Sequence, residues 1–326
     1  MRVVRHWGDF PEHSRLKGTV ILIGSFDGLH IGHQALIQMA KLNALTLNLP
    51  LILITFEPSP KNYFAKQAQR PINKLLAFYD TYQVLNKMGI DAWVILKFNA
   101  AMLNLTPEDF LDKLSCHLNP KVYCLGQDFQ FGKNRSGDIK TIQEYAARHN
   151  QSVQLLSIIK DIYKDKDKLD SEPLKVSSTL LRSSLAAGDL LTARRLLNHA
   201  YRLSGKVSFG KKLGRSIGFR TANINLKNCP IPLRGVYVVR VCQIEQTAVN
   251  YRAVANIGVR PTLHQDNILM LEVHFLDQNQ EQNLDLYGKR IEIEFIQKIR
   301  DEKKFNHVDS LKKQIEEDVQ AAKLII

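Results

Sequence analysis

The stretch Val20-Ile-Leu-Ile-Gly-Ser-Phe-Asp-Gly-Leu-His-Ile-Gly-His33 decides how the first half of the chain is read. Val20 to Ile23 is a strand-length apolar run rich in β-branched residues, and Ala35-Leu36-Ile37-x-Met39-Ala40 begins a helical apolar pattern. Between them, Gly24 and Gly28 allow backbone to approach a ligand closely. A strand that feeds a glycine-rich turn and then a helix puts His30 and His33 near the first turn of that helix. Free N–H groups and the positive end of the helix dipole favour an anion there, and two imidazoles add donors to a phosphate whose charge is rising. Phosphate chemistry is therefore the first expectation. His-x-x-His is also half of a zinc site, but Cys116, Cys124, Cys229 and Cys242 lie far along the chain and form no Cys-x-x-Cys pair, which argues against a metal at this place.

Outward from this stretch, short apolar runs alternate with helical patterns as far as about Ile158, which is the signature of a parallel sheet covered by helices. Strands are expected at Val20–Gly24, Leu51–Thr55, Ala92–Lys97, Lys121–Gly126 and Gln154–Ile159. Helices are expected at Gln34–Asn48, Lys74–Met88, Thr106–Leu118 and Thr141–Arg148, the third opened by the capping run Thr106-Pro107-Glu108-Asp109. In open sheets of this kind ligands bind beyond the carboxyl ends of the strands. Thr55-Phe56-Glu57-Pro58-Ser59-Pro60 follows the second strand and is too proline-rich to extend it, so it reads as a rigid loop. Leu125-Gly126-Gln127-Asp128-Phe129-Gln130-Phe131-Gly132-Lys133-Asn134-Arg135-Ser136-Gly137-Asp138 follows the fourth and concentrates two aromatics, two carboxylates and two cations in a glycine-punctuated loop. Asp161–Glu172 reads as a charged, mobile excursion. In the run that begins at Val176, the hydroxyls of Ser177, Ser178 and Thr179 can cap a new helix, and Arg182 lies one turn on.

The whole-chain numbers set the class. With 326 residues and 44% hydrophobic content the chain is long enough for two globular domains. The formal charge of +13 is shared about evenly on either side of Arg182 and includes no basic block, which suits anionic ligands such as nucleotides better than a nucleic-acid surface. The longest apolar run, around Leu49 to Phe56, is strand-sized and far short of the roughly 18 to 20 residues of a membrane helix. The start Met1-Arg-Val-Val-Arg-His-Trp lacks the apolar core of a signal peptide, and unclustered cysteines suit a reducing compartment, so a cytoplasmic location without membrane contact is expected.

The string Gly-Ser-Phe-Asp-Gly-Leu-His-Ile-Gly-His resembles the signature of the nucleotidylyltransferase superfamily, and its Phe-Asp-Gly opening looks most like the FMN adenylyltransferase branch. With the Thr-Phe-Glu-Pro, Gly-Gln-Asp-Phe and Ser-Ser-Thr-Leu-Leu-Arg segments in the same order and spacing, the first half resembles that of bacterial bifunctional riboflavin kinase/FAD synthetases. The resemblance implies that Gly24, Phe26, Asp27, His30, His33, Ser177, Ser178, Thr179 and Arg182 hold ATP, with His30 and His33 catalytic, and that Phe56, Pro58, Asp128 and Phe129 hold the flavin. Relatives usually have Pro-His-Pro where this chain has Pro58-Ser59-Pro60.

Past the amphipathic segment Gly188–His199 the period changes to short strands, expected at Tyr201–Ser208, Gly235–Ile244, Tyr251–Ile257, Met270–Leu276 and Arg290–Ile299, an antiparallel barrel or sandwich. A last helix, Ser310 to Lys323, has Leu311, Ile315 and Val319 on one face. Gly205-Lys-Val-Ser-Phe-Gly-Lys-Lys212 nearly has P-loop spacing, but Lys212 stands where a magnesium-binding hydroxyl belongs and the segment lies among strands, so the P-loop reading fails. The following residues, through Phe219-Arg-Thr-Ala-Asn223, resemble the riboflavin kinase signature, with Arg220 in place of a proline. Further matches occur at Ala255-Asn-Ile-Gly-Val-Arg-Pro-Thr262, Leu271-Glu-Val-His274, Asp285-Leu-Tyr-Gly288 and Ile299-Arg-Asp-Glu-Lys-Lys-Phe305. The family then implies Glu272 as the general base, ATP at Gly205, Lys211, Gly214, Thr221 and Asn223, flavin at Arg300 and Glu302, and Mg2+ on Thr221 and Asn223.

The expected whole is an α/β nucleotidylyltransferase-like (Rossmann-like) domain over 1–186 and an antiparallel flavokinase barrel with a C-terminal helix over 187–326. It would turn riboflavin into FMN and FMN into FAD with ATP and Mg2+, the flavins being substrates and products rather than a redox group. Two other readings compete: an RNA- or tRNA-handling protein, since His-Ile-Gly-His also occurs in synthetases, and an enzyme with one module inactive. A tRNA-binding module is hard to place in a half already filled by flavokinase-like motifs.

Overall fold

All five residues of β2 (Thr19–Ile23) are buried, as a central parallel strand covered on both faces requires. The structure, a computed structural model, describes residues 1–10, 17–70, 72–160, 174–208, 221–226, 231–245, 247–260, 268–276, 286–305 and 307–326. The expected excursion at 161–172 lies outside these. By their contacts the residues form two units, one of Met1–Ile72 with Thr81–Ser177 and the other of Asn73–Asp80 with Ser178–Ile326.

The first unit is a six-stranded parallel sheet in the order β1-β4-β3-β2-β5-β6, formed by β1 (Arg2–Val4), β2, β3 (Leu51–Glu57), β4 (Ala92–Lys97), β5 (Pro120–Gly126) and β6 (Ser152–Leu156). Because side chains alternate along a strand, Ile21, Ile23, Ile52 and Ile54 form one face. That face packs on Phe110, Leu111 and Leu114 of α5 (Pro107–Leu118) and on Ile142 of α6 (Ile139–Arg148). Helix α1 (Ile31–Leu47), buried at Leu36, Ile37, Ala40 and Ala44, packs on β2, β3, β5 and β6. The strand order reverses at β2: β3 and β4 lie to one side of it and β5 and β6 to the other. The crevice beyond the ends of β2 and β5 is the topological switch point, where such sheets bind ligands.

The five expected strands and four expected helices of this unit are present with bounds shifted by a few residues. Among the strands and α-helices of the described residues, three short elements were not expected: β1, α4 (Ala100–Leu103) and α2 (Pro60–Gln67). The last corrects the reading of Pro58-Ser59-Pro60 as loop alone. Ser59 is an N-cap whose side chain accepts from Asn62 N–H at 3.3 Å, and Pro60 occupies the first helical turn, where its missing N–H costs nothing. Ser59→Ala removes the acceptor and is expected to lower the stability of this unit by about 1 kcal/mol in denaturant titration, whereas Ser59→Asp keeps it. Helix α3 (Phe78–Lys87) completes the elements up to the start of β4.

The second unit is a closed barrel in the order β10-β11-β8-β7-β12-β9. Its strands are β7 (Arg202–Ser208), β8 (Ala222–Asn225), β9 (Gly235–Ile244), β10 (Thr247–Arg260), β11 (Ile268–Phe275) and β12 (Arg290–Arg300). Closure decides between barrel and sandwich and removes exposed edges. β8 was not expected, since Ala222-Asn-Ile had been absorbed into a ligand motif. Helices α7 (Ser178–Ala187) and α8 (Leu190–Leu197) precede the barrel, and α9 (Val308–Ile325) follows it. Val319 and Ala322 of α9 pack on the outer residues Val236, Val238, Val254 and Leu276. The buried Asp318 on α9 receives a two-pronged bond from Arg300, Nε at 2.8 Å and Nη2 at 2.7 Å.

Residues Asn73–Asp80 belong to this unit although they lie between β3 and β4 in sequence. Arg182 Nε donates to the Asn73 carbonyl at 2.8 Å, and the Tyr201 hydroxyl donates to the carbonyl of the fully buried Leu75 at 2.6 Å. The Ser204 hydroxyl and N–H both donate to the Asp80 carboxylate, and the Arg290 guanidinium lies 4.0 Å from the centre of the Tyr79 ring.

Candidate active sites

At the end of β2 the chain turns through Phe26, Gly28 and Leu29 at φ of 45°, 84° and 47°. Left-handed backbone is unfavourable for bulky residues, so the conformation persists only where surrounding packing holds it. Here Phe26 and Leu29 are buried to 2% and 1% exposure. Gly24 is what lets Phe26 fold back, since a Cβ at Gly24 would stand 2.9 Å from the ring.

The turn ends on His30, the N-cap of α1, whose Nδ1 accepts from His33 N–H at 3.3 Å. The neutral His30 ring therefore carries its proton on Nε2. A Cβ at Gly32 would lie 3.2 Å from that ring, so glycine is the residue that leaves room for it over the first helical turn. The imidazoles of His30 and His33 stack at 3.7 Å between centroids, and Phe26 closes the column 4.9 Å from His33. Burial lowers the His30 pKa to about 4, and burial with the neighbouring imidazole lowers that of His33 well below the ordinary value. Both rings are neutral at pH 7, and the site offers uncharged donors and helix N–H groups to an anion.

The same burial links stability to pH. An unfolded chain protonates His30 near pH 6.5 while the folded chain resists until about pH 4, so the stability present above pH 6.5 is lost progressively as pH falls toward 4. His30→Asn keeps a cap acceptor and does not titrate. Its unfolding midpoint is expected to depend less on pH across that window than the wild-type midpoint does.

On the barrel, Glu272 of β11 is paired on one side with Asn223 of β8 and on the other with Asn256 of β10. Residues directly opposite across strands share a face. Their sequence neighbours Ala222, Ile224, Ala255, Ile257, Leu271 and Val273 are all buried, so this polar row lies on the outside of the barrel. Asn223 is itself buried, and its Nδ2 lies 3.3 Å from the Thr221 carbonyl and 3.4 Å from Thr221 Oγ1. Asn223 Oδ1 has no hydrogen-bond partner among the described residues. A buried oxygen left unpaired is costly, and a cation or donor that fills its place recovers that cost.

Comparison with known proteins finds a family for each part of the chain. The FAD synthetase family model matches residues 12–172 and the riboflavin kinase family model residues 197–326. A Haemophilus influenzae protein named bifunctional riboflavin kinase/FMN adenylyltransferase is 36% identical over 309 residues, covering 94% of each chain. The Escherichia coli K12 protein of that name is 35% identical over 303 residues, covering 93% of this chain and 91% of its own. This chain belongs to the bifunctional riboflavin kinase/FMN adenylyltransferase family. A crystal structure described as a macrolide-efflux protein from Streptococcus pneumoniae is similar over 99% of both chains, with a TM-score of 0.78 and 27% identity. Among the described residues no helix is long and apolar enough to cross a membrane.

The family's expected site residues fall unevenly. Gly24, Phe26, Asp27 and His30 lie in the turn after β2, and His33 in the first turn of α1 that follows it. Asp128 and Phe129 follow β5, on the other side of the switch point. Phe129 stacks on Phe131 at 5.6 Å, and Phe56 meets Phe98 edge-on at 5.9 Å. Pro58 follows β3. Ser177 precedes α7, while Ser178, Thr179 and Arg182 lie on it and group with the second unit. Gly205 has a packing reason of its own, since a Cβ there would stand 2.3 Å from Ile224 Cγ2. The guanidinium of Arg300 is committed to Asp318. The Glu302 carboxylate lies against Gly258, where an added Cβ would meet Oε1 at 2.1 Å. Lys211 and Gly214, and Arg220 with them, lie outside the described residues.

Two residues escaped the sequence reading. Lys175 forms an ion pair with Asp128 and holds that carboxyl below its ordinary range. Asn256 sits beside Glu272 only through the barrel register, although it lies inside a quoted motif.

Proposed function

We propose that the first activity resides in residues 1–186 and the second in 187–326, and that the chain carries riboflavin to FAD in two ATP-dependent steps. The observation that carries this reading is the tandem match of two enzyme families, each falling on a unit with its own cluster of polar residues.

In adenylyl transfer, a phosphate oxygen of FMN attacks the α-phosphorus of ATP. A new P–O bond forms, the α–β bridge breaks and pyrophosphate leaves. The N–H groups at the start of α1 and the Nε2–H of His30 stabilise the extra charge on the α-phosphate, and His33 holds the His30 ring by stacking and adds its own donor. Both imidazoles are neutral at pH 7, and as donors they gain more from the transition state, where the phosphate charge grows, than from the ground state. Asp128, Phe129, Phe56 and Pro58 receive the flavin.

In phosphoryl transfer, the ribityl hydroxyl attacks the γ-phosphorus of a second ATP and ADP leaves. Glu272 takes the hydroxyl proton. Thr221 and Asn223 present neutral oxygens, one of them buried and unpaired, which fit a hard divalent cation such as Mg2+. When bound there, the cation would neutralise phosphate charge. Arg300 acts by pinning α9 through Asp318, and Glu302 lines the flavin side of the site.

One incubation of the full chain with riboflavin, ATP and Mg2+, with flavins separated over time, tests the whole. Riboflavin should pass into FMN and then FAD. Accumulation of FMN alone would mean that the first unit does not catalyse, and no FMN that the second does not.

A further inference from the structure

We infer that Gln34 is a positioning residue for adenylyl transfer: its side-chain amide ties the carbonyl of Leu29 to the start of α1 and so fixes where the His30 imidazole stands. This rests on His30 as a donor to the α-phosphate. Gln34 Nε2 donates to the Leu29 oxygen at 2.9 Å, reaching back over the stretch that holds both histidines. The Gln34 backbone N–H donates to the His30 carbonyl at 3.0 Å, the bond with which the helix begins. One residue thus grips the two successive carbonyls through which the turn passes into α1.

Leu29 is where this grip matters. It is a bulky residue at φ of 47°, buried to 1% exposure, and it directly precedes the N-cap. A leucine in left-handed backbone returns to the ordinary basins unless its surroundings hold it. Helices often fix the residue before the N-cap by packing its side chain on the fourth residue of the helix. Leu29 and Gln34 occupy those two places, but the fastening is polar, from side chain to backbone, and the leucine side chain stays in the core. The plane of the Leu29–His30 peptide sets the direction in which the His30 side chain leaves the chain. His30 Nδ1 meets the His33 N–H at 3.3 Å, at the long end for such a bond, so the ring has little hold of its own against a change in that direction. The stack on His33, at 3.7 Å, restrains its tilt more than its position in the plane. A displacement of about 1 Å at a reacting group costs as much as 10²-fold in rate, and Gln34 acts through that placement rather than by touching the substrate.

The test is steady-state adenylylation of FMN by the full chain, with thermal unfolding measured on each variant. Gln34→Met keeps the length of the side chain and removes the donor. It should lower kcat about tenfold or more, with KM for FMN and ATP changed less than about twofold, since misaiming a reacting group affects the chemical step. Gln34→Lys keeps a donor at the end of a long chain and should hold kcat within about threefold of wild type. His30→Asn keeps the cap acceptor and lacks the ring Nε2–H, and in that background Gln34→Met should cost less than about twofold further, because the group it aims is gone. A wild-type kcat for Gln34→Met, an equal loss in Gln34→Lys, or losses that multiply in the double variant would overturn the inference and leave His30 as donor. A near wild-type His30→Asn would overturn both. If Gln34→Met does not fold, Gln34→Glu, of the same shape and without a donor at pH 7, is judged by the same measures; if neither folds, the bond is a fastener of the fold and the inference is refuted.

Discussion

Replacing Glu272 by Gln is expected to lower kcat for riboflavin phosphorylation by roughly 10²-fold or more and to leave the KM for ATP little changed. The substitution keeps size and hydrogen-bonding capacity and removes only basicity. Phosphoryl transfer requires bound phosphate, an in-line hydroxyl and a destination for its proton. In the proposed kinase site, Thr221 and Asn223 would address the first requirement, and Glu272, paired to Asn223 across the strands, the last. FAD formation from supplied FMN continues, because that step uses the other unit. A variant that phosphorylates riboflavin at close to the wild-type rate would return Glu272 to the status of a surface strand residue.

His33→Ala is expected to reduce turnover of FMN to FAD by about 10² to 10³-fold, a larger factor than its effect on FMN binding. The ring lies in the middle of the column Phe26–His33–His30, so its removal takes away a donor and the support that holds His30 over the first turn of α1. A group that answers to developing charge acts mainly in the transition state. FMN affinity by fluorescence titration and turnover by chromatography separate the two effects, and equal losses in both would contradict the role.

The parts of this molecule that were legible in sequence are those set by local pattern. β2 and β3 read as strands because a doubly covered parallel strand is apolar without interruption. Helix α5 was bounded to within a residue by its Thr106-Pro107 start. The Ser59-Pro60 start of α2 carries the same signal, and was missed because two prolines were read as breakers rather than as one breaker and one first-turn residue. His30 and His33 share a helix start through simple spacing. Phe26 joins their column only because its backbone is left-handed, which nothing in its side chain announces. Asn256 beside Glu272 and Lys175 beside Asp128 depend on strand register and chain return, and a linear string does not contain those distances.

The placement of Asn73–Asp80 bears on how such an enzyme is taken apart or recombined. A fragment that starts at residue 187 keeps every barrel strand but loses the carbonyl that receives the Tyr201 hydroxyl, the carboxylate that receives Ser204 and the ring under Arg290. A fragment that stops at residue 186 keeps that eight-residue strap with its hydrophobic Leu75 but, of the partners described above, keeps Arg182 alone and loses Tyr201, Ser204 and Arg290. The gene order is therefore linear while the folded inheritance is not. Exchanging one kinase for another between relatives calls for two grafts, the C-terminal stretch and this short strap, transferred as a matched pair.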